Sequence, residues 1–243
     1  MVELVNLICK VRIAFFLFVA LIAVSCDKVS SEADEVVDQD PITGYVNLSE
    51  SSTANCYIVN QGGSYRISAV RGNDASNVLL TAKTAEVMWE SFGSSLSIGA
   101  GALIKSVMYK DGYICFKTND YFKKGNAVVA AKDESGNILW SWHIWITDQP
   151  QEHVYNNDAG TLMDRNLGAT SAEPDICSVG LMYQWGRKDP FMGPSSFDQN
   201  REFAKSSITW PTPVASDPST GTVEYAIANP TTFITYNANN KGW

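Results

Sequence analysis

The stretch NILWSWHIWITD, residues 137–148, restricts the fold more than any other part of the chain. Side chains of a strand alternate between two faces. Ile138, Trp140, Trp142, Ile144 and Ile146 therefore share one side, and Leu139, Ser141, His143 and Trp145 share the other. Both sides carry aromatic groups, so both need cover. Such a strand belongs at the centre of a sheet, or between that sheet and whatever follows it in the chain. A tryptophan-rich strand can also serve as a sugar-stacking platform, but burial is the simpler account.

Upstream, from Pro41 to about Asp148, seven further short apolar or alternating segments precede it: GYVNLS, NCYIVN, SYRISAV, AEVMWESF, LIKSVMYK, GYICFKT and NAVVAAK. Turn-forming phrases such as QGG, RGND, KDG and DESGN separate them. Strands this closely spaced, with no helical period between them, predict a β-sandwich of immunoglobulin-like size over residues 41–148. One hairpin can be set in register. Asp111-Gly112 is a type I′ turn signal, which pairs Lys110 with Tyr113, Tyr109 with Ile114, Met108 with Cys115 and Val107 with Phe116. Val107, Tyr109, Ile114 and Phe116 then form the core face, while Lys110 and Lys117 place Cys115 on the wetter side. That placement disfavours a bridge between Cys56 and Cys115.

The other end of the chain's order begins with a leader. Lys10 and Arg12 precede Ile13 to Val24, an apolar run of 12 residues. That is the size of a signal-peptide core and shorter than the ~20 residues a bilayer span needs. Ala23, Val24 and Ser25 lead into Cys26, and together they resemble a bacterial lipoprotein signal ending in a lipobox. The resemblance implies removal of residues 1–25 and acylation of Cys26 on its sulfur and new amine, which anchors the protein on a membrane without crossing it. Residues 26–40 carry Asp27, Glu32, Asp34, Glu35, Asp38 and Asp40 against one lysine and read as an extended acidic tether. They are similar to the surface-export signals of Bacteroidetes lipoproteins, and a plain spacer explains them equally well. The expected location is the outer membrane, lipid-anchored, at the cell surface.

After cleavage, 16 basic residues face 25 acidic ones, a formal charge of −9. That balance excludes nucleic acid and electrostatic attraction to anionic lipid as sources of binding. Cys56, Cys115 and Cys177 remain, an odd number, so at least one is unpaired within the chain.

Past Asp148 the texture becomes polar and turn-rich, which sets an expected boundary between residues 41–148 and 149–243. Two short helices are predicted there, at Gly180 to Arg187 and at Val223 to Asn229, stopped by Pro190 and Pro230. The phrases TLMDRNLGATSA (Thr161 to Ala172) and VGLMYQWGRKDPF (Val179 to Phe191) resemble the opening of the Fibrobacter succinogenes major paralogous domain, found in Bacteroidetes surface lipoproteins. That family begins with an xNL strand, here Asn166-Leu167, and continues with a G-x-x-Y-x-W helix, here Gly180, Tyr183 and Trp185. Its later C-P-x-G-W phrase does not occur, so the second region reads as an incomplete α+β domain, C-type-lectin-like by family analogy. Fold analogy of this kind carries no function by itself.

Reactive groups are sparse. His143 and His153, ten residues apart, are the two histidines, and no second pair completes a metal site. Asp158, Asp164 and Asp189 with Asn156 and Asn157 lack the spacing of a calcium loop. No phosphate-cradling, Gly-x-Ser-x-Gly or His-Glu-x-x-His phrase occurs, so no cofactor is expected. A Cys177–His153 nucleophile pair has the right chemistry, but Cys177 reads as part of a loop. Arg187, Lys188 and Asp189 are read as capping a helix end. The expectation is a non-enzymatic, lipid-anchored envelope protein for adhesion or glycan binding. The alternatives are a structural or accessory part of a fimbrial assembly, where a sheet edge accepts a partner's strand, and an enzyme related to the sulfatase-modifying fold.

Overall fold

A computed structural model describes residues 42–74, 76–92, 97–174, 176–193 and 205–237. Cys26, the leader and the acidic tether lie outside the described residues. All eight segments expected between 41 and 148 form strands: β1 (Val46–Asn47), β2 (Cys56–Val59), β3 (Ser64–Ser68), β4 (Thr84–Ser91), β5 (Ile104–Lys110), β6 (Tyr113–Thr118), β7 (Gly125–Lys132) and β8 (Ile138–Ile146). They make two four-stranded sheets with orders β1-β3-β6-β5 and β2-β8-β7-β4. The fold is mainly β. With β2 set aside, these orders are those of the two immunoglobulin sheets, the first, second, fifth and fourth strands against the last, sixth and third. β2 adds a parallel edge to β8, with Cys56 beside His143 and Val59 beside Ile146.

The β5–β6 hairpin has the expected register. Asp111 and Gly112 both take positive φ (50° and 82°), which fits a type I′ turn. Val107 lies opposite Phe116, and Tyr109 opposite Ile114. Phe116 and Ile114 are buried between the sheets, and Val107 and Tyr109 pack against them. Cys115 corrects the expectation drawn from the lysines, for it is 0% exposed. Its cross-strand neighbours are Arg66 and Met108. Arg66 lays its guanidinium over the Tyr113 ring at 4.7 Å and donates to Ile42 O, so its stem covers the middle of the outer face, and Lys110 and Lys117 at the ends are half-buried. Cys56 forms no bridge to Cys115.

β8 is central in its sheet, between β2 and β7. Trp142, Ile144 and Ile146 point into the sandwich, together with Ile67, Phe116 and Val129. The opposite face of β8 is equally dry: Ser141, His143 and Trp145 are each at most 1% exposed. The chain after Asp148 supplies the cover. It contains β9 (Glu152–Val154) paired with β10 (Thr161–Met163), β11 (Met182–Tyr183) with β12 (Pro190–Phe191), and β13 (Val214–Ala215) with β14 (Ile234–Thr235). Between the last two lies helix α1 (Val223–Ala228), where Thr222 caps the N-terminus by accepting from Tyr225 N and Pro230 follows the end. The helix expected at Gly180 to Arg187 is absent. Gly180 has φ 76°, a left-handed conformation that breaks a helix, and Met182–Tyr183 continues as a strand. Asn166-Leu167, expected in a strand, forms a turn.

Aromatic groups hold the cover on. Trp89 meets Trp210 at 5.4 Å, Trp210 meets Phe191 at 5.8 Å, and Phe191 meets Phe233 at 5.4 Å. Backbone bonds add Ser207 N to Glu90 O, and the Ser207 hydroxyl accepts from Glu90 N.

Glu90 itself faces inward and is 0% exposed. Its carboxylate is solvated by the β4–β5 loop: Oε2 accepts from Gly101 N (2.7 Å) and Ala102 N (3.2 Å), and Oε1 from Leu103 N (3.0 Å) and Ile104 N (2.5 Å). A buried charge persists only when such donors replace water. Glu90→Gln sets an NH2 group against two backbone N–H donors. Urea unfolding should lose roughly 2–4 kcal/mol at unchanged m, and a loss under about 0.5 kcal/mol, as at an ordinary surface position, would contradict this role.

Candidate functional site

Two neighbouring features on the covered face of the second sheet gather the chain's reactive side chains. The first is centred on His143. Because β2 runs parallel to β8, Cys56 lies directly beside His143, and its Sγ is 3.2 Å from His143 Nδ1. Tyr183 OH reaches the same nitrogen at 3.2 Å. On the other side, Nε2 lies 2.8 Å from Asn126 Oδ1, while Asn126 Nδ2 donates to Gly168 O at 2.9 Å. That second bond orients the amide, so Nε2 carries the proton and Nδ1 is the acceptor for the Tyr183 hydroxyl and the Cys56 thiol.

This inventory of thiol, imidazole and amide is that of a nucleophilic cysteine site. The electrostatics run the other way. Burial pushes Cys56 up to about 12 and His143 down to about 3, so the neutral pair is favoured over thiolate and imidazolium. Burial also raises the Tyr183 phenol. The arrangement is a neutral hydrogen-bonded knot that fastens β11 to β8.

The loops that fasten there are the two phrases carrying the family resemblance. Leu181 N donates to Leu167 O at 3.0 Å, and Asn166 Nδ2 donates to Val179 O at 3.2 Å. Gly180 packs against Leu167 O so closely that a Cβ there would stand 2.6 Å from it. The inner side of this clamp gives Gly168 O to Asn126, and Ala169 O to Trp145 Nε1 at 2.8 Å.

The second feature is a cleft of about 160 Å³ lined by Asn55, Gly72, Trp140, Gly186 to Asp189, and Val223, Ala226 and Ile227 of α1. Trp140 Nε1 donates to Asn55 Oδ1 at 3.1 Å. Lys188 Nζ stands 4.5 Å from the Trp140 ring centroid and donates to Ser141 O (2.9 Å), Ser141 Oγ (2.5 Å) and Asp189 Oδ1 (2.7 Å). Ser141 Oγ donates to the same Asp189 oxygen at 2.6 Å. Burial lowers the lysine's pKa, opposed by the Asp189 carboxylate. Arg187 is buried, stacks on Phe191, and donates to Thr232 O (2.5 Å), Ala226 O (3.3 Å) and Asn229 O (2.8 Å). The expected capping role is thus displaced: Gly186 to Pro190 end no helix of their own, and Arg187 instead satisfies carbonyls at the C-terminus of α1, where a cation also suits the dipole.

The other sequence candidates are dispersed. His153 is exposed on the β9–β10 hairpin, edge-on to Tyr155 at 4.7 Å. Cys177 sits in a short 3-10 turn whose carbonyl accepts from Thr170 N. Asp158 lies in the loop joining β9 and β10, Asp164 bonds to Arg165, and Asp189 is committed to Ser141 and Lys188. Among the described residues no group of three or more His, Cys, Asp or Glu side chains converges. The juxtaposition of Cys56 and His143 was not readable from their positions, 87 residues apart; the parallel pairing of β2 creates it.

No family model, no curated protein and no solved structure matches this chain.

The depressed His143 value has a thermodynamic consequence. An unfolded imidazole titrates near ~6.5, above the folded value of about 3. Between those limits the unfolded chain binds the extra proton, so stability falls as pH drops through that window, by up to ~1.4 kcal/mol per pH unit. Asp148 and Asp164, held low by Lys124 and Arg165, also lose stability in acid. Their contribution is lost progressively below about pH 5. Urea unfolding of the wild type between about pH 6.5 and 5 therefore reads His143, and His143→Gln should flatten that slope. An equal slope in both proteins would contradict the buried neutral imidazole.

Proposed function

We propose that this chain is a non-enzymatic, lipid-anchored protein of the bacterial outer membrane that presents its sandwich at the cell surface for adhesion through glycan binding. The anchor half of this reading rests on the lipobox-like Ala23–Cys26 and the acidic residues behind it. The non-enzymatic half is supported by the Cys56–His143 pair, whose burial favours the uncharged forms that do no nucleophilic work.

The observation that carries the binding half is Trp185. It is 92% exposed, and it immediately precedes Gly186 to Asp189, which line the cleft. A tryptophan gains most by burial, so one held in water beside a polar cleft suits stacking on a sugar ring. On a glycan array, Trp185→Ala should lose signal by roughly two- to tenfold, since such stacking is worth about 0.5–1.5 kcal/mol. An unchanged array would reject the binding half. The anchor half is separable: mass spectrometry of the native N-terminus should find acylated Cys26, and Cys26→Ser should release the protein from membranes. A bare Cys26 in a soluble fraction would reject it.

A fimbrial role is favoured by a different feature. β9 and β10 form a two-stranded sheet whose residues are all exposed, including Val154 (66%), Leu162 (56%) and Met163 (45%). Such an edge is a template for strand addition from a partner. Under that reading, sedimentation would detect concentration-dependent assembly that Leu162→Pro abolishes, and a monomer at all concentrations would reject it.

A further inference from the structure

The knot at His143 has the parts of a soft-metal site, and the way the far side of its ring is held is the first sign of it. Asn126 Oδ1 accepts from Nε2–H at 2.8 Å, and Gly168 O holds the Asn126 amide in that sense. The tautomer is thereby fixed with a lone pair on Nδ1, which is how hydrogen-bond partners behind a ligating imidazole present it to a metal. A thiol and a phenol stand around that lone pair. Cys56 Sγ and Tyr183 OH are each 3.2 Å from Nδ1. A sulfur and a nitrogen that share one metal at bond lengths of about 2.3 and 2.0 Å lie roughly 3.5 Å apart. An ion taking the place of the thiol hydrogen therefore needs Cys56 to withdraw by only about 0.3 Å. Cys56 is the member placed to do so, because it is only partly buried and opens β2, the outermost strand of its sheet.

Charge and softness select the ion. The layer is dry, with His143 at 1% exposure, and burial favours the uncharged thiol and imidazole. The Asp189 carboxylate, whose charge is felt at Tyr183, is committed to Ser141 and Lys188. A divalent ion on one thiolate would leave a net positive charge in that layer, which is costly. A monovalent ion on one thiolate leaves none. Thiolate and imidazole are also soft donors, of the kind that suits Cu(I).

We propose that Cys56 and His143 bind a soft monovalent metal ion, of the Cu(I) and Ag(I) class, with Tyr183 as the third group of the site. The Cys56 S–H bond breaks and its proton leaves to solvent, while the sulfur and the Nδ1 lone pair both bond to the ion with no change in oxidation state. The Tyr183 hydroxyl, displaced from Nδ1, donates instead to the thiolate, a charge-assisted bond. β11 stays fastened to β8. This site is independent of any glycan bound at Trp185.

The probe is Ag+, added as nitrate to the full chain in detergent, with nitrogen NMR of the His143 ring and native mass spectrometry as readouts. Uptake should move the Nδ1 resonance and leave Nε2–H bonded to Asn126, and Zn2+ should bind at least roughly tenfold more weakly. Cys56→Ser should abolish the Nδ1 shift, whereas Cys177→Ser should leave it intact. The ring signal separates this site from capture by a lone thiol, and it is read on the wild type, so it does not depend on any variant folding. Uptake that leaves Nδ1 unmoved would overturn the proposal, as would Zn2+ binding as tightly as Ag+, no uptake at all, or an Nδ1 shift that survives in Cys56→Ser. So would a shift that appears only as the chain loses its folded amide spectrum, because the knot would then have to unfold to take the ion.

Discussion

The covered outer face of β8 is the constraint from which the rest of this structure follows. Ser141, His143 and Trp145 are driven into a dry layer, and Asn126 joins them from β7. His143 and Asn126 satisfy one another in part, but a purely apolar cover would leave Ser141 Oγ, the Trp145 indole N–H and the Asn126 Nδ2 donor unpaired, at about 1–3 kcal/mol apiece. The cover must therefore bring Gly168 O to Asn126, Ala169 O to Trp145, Tyr183 OH to His143 and Asp189 to Ser141, all at once. Apolar packing of Trp210 on Trp89, with Phe191 behind Trp210, supplies the larger part of the attraction, since burial of aromatic area dominates such contacts. The polar pairs fix the register. A cover shifted by one residue would keep most of the apolar contact and lose nearly all of the hydrogen bonds.

The same dryness decides the chemistry. A thiol and an imidazole at 3.2 Å become a nucleophile only where charge separation is tolerated. Here burial opposes both charges, so the pair serves as cement. The cleft next to it contrasts with this. Its cations are held in place, Arg187 by carbonyls at the end of α1 and Lys188 by Ser141 and the Asp189 carboxylate. Trp185, the residue before the cleft-lining Gly186, stands in water.

Much of the sandwich was legible because alternation reports faces directly. The eight strands, the Asp111-Gly112 turn and the two-sided burial of β8 all followed from local patterning and turn chemistry. Cys115 was misplaced because the lysines on its face mark only the ends of the strand, and the stem of Arg66 from a neighbouring strand dries the middle. The segment Gly180 to Arg187 misled for a related reason. Its apolar residues suit a helix, but Gly180 takes a left-handed turn and Tyr183 is claimed by His143 across the sheet. The cleft was illegible in principle. Asn55, Trp140 and Arg187 meet only after the cover has docked, and no spacing rule within the chain encodes that meeting.

The central claim is that sandwich and cover form one cooperative structure, because neither tolerates the bare outer face of β8. Native-state hydrogen exchange measures this directly by comparing the opening free energies of amides in β7 and β8 with those of Thr170 and Leu181, which are bonded within the cover. The account predicts that all of them exchange through the same global opening and respond identically to added denaturant. If the cover amides instead exchanged through a low-energy local opening while β8 stayed protected, the polar contacts on that face would not be what holds the molecule together.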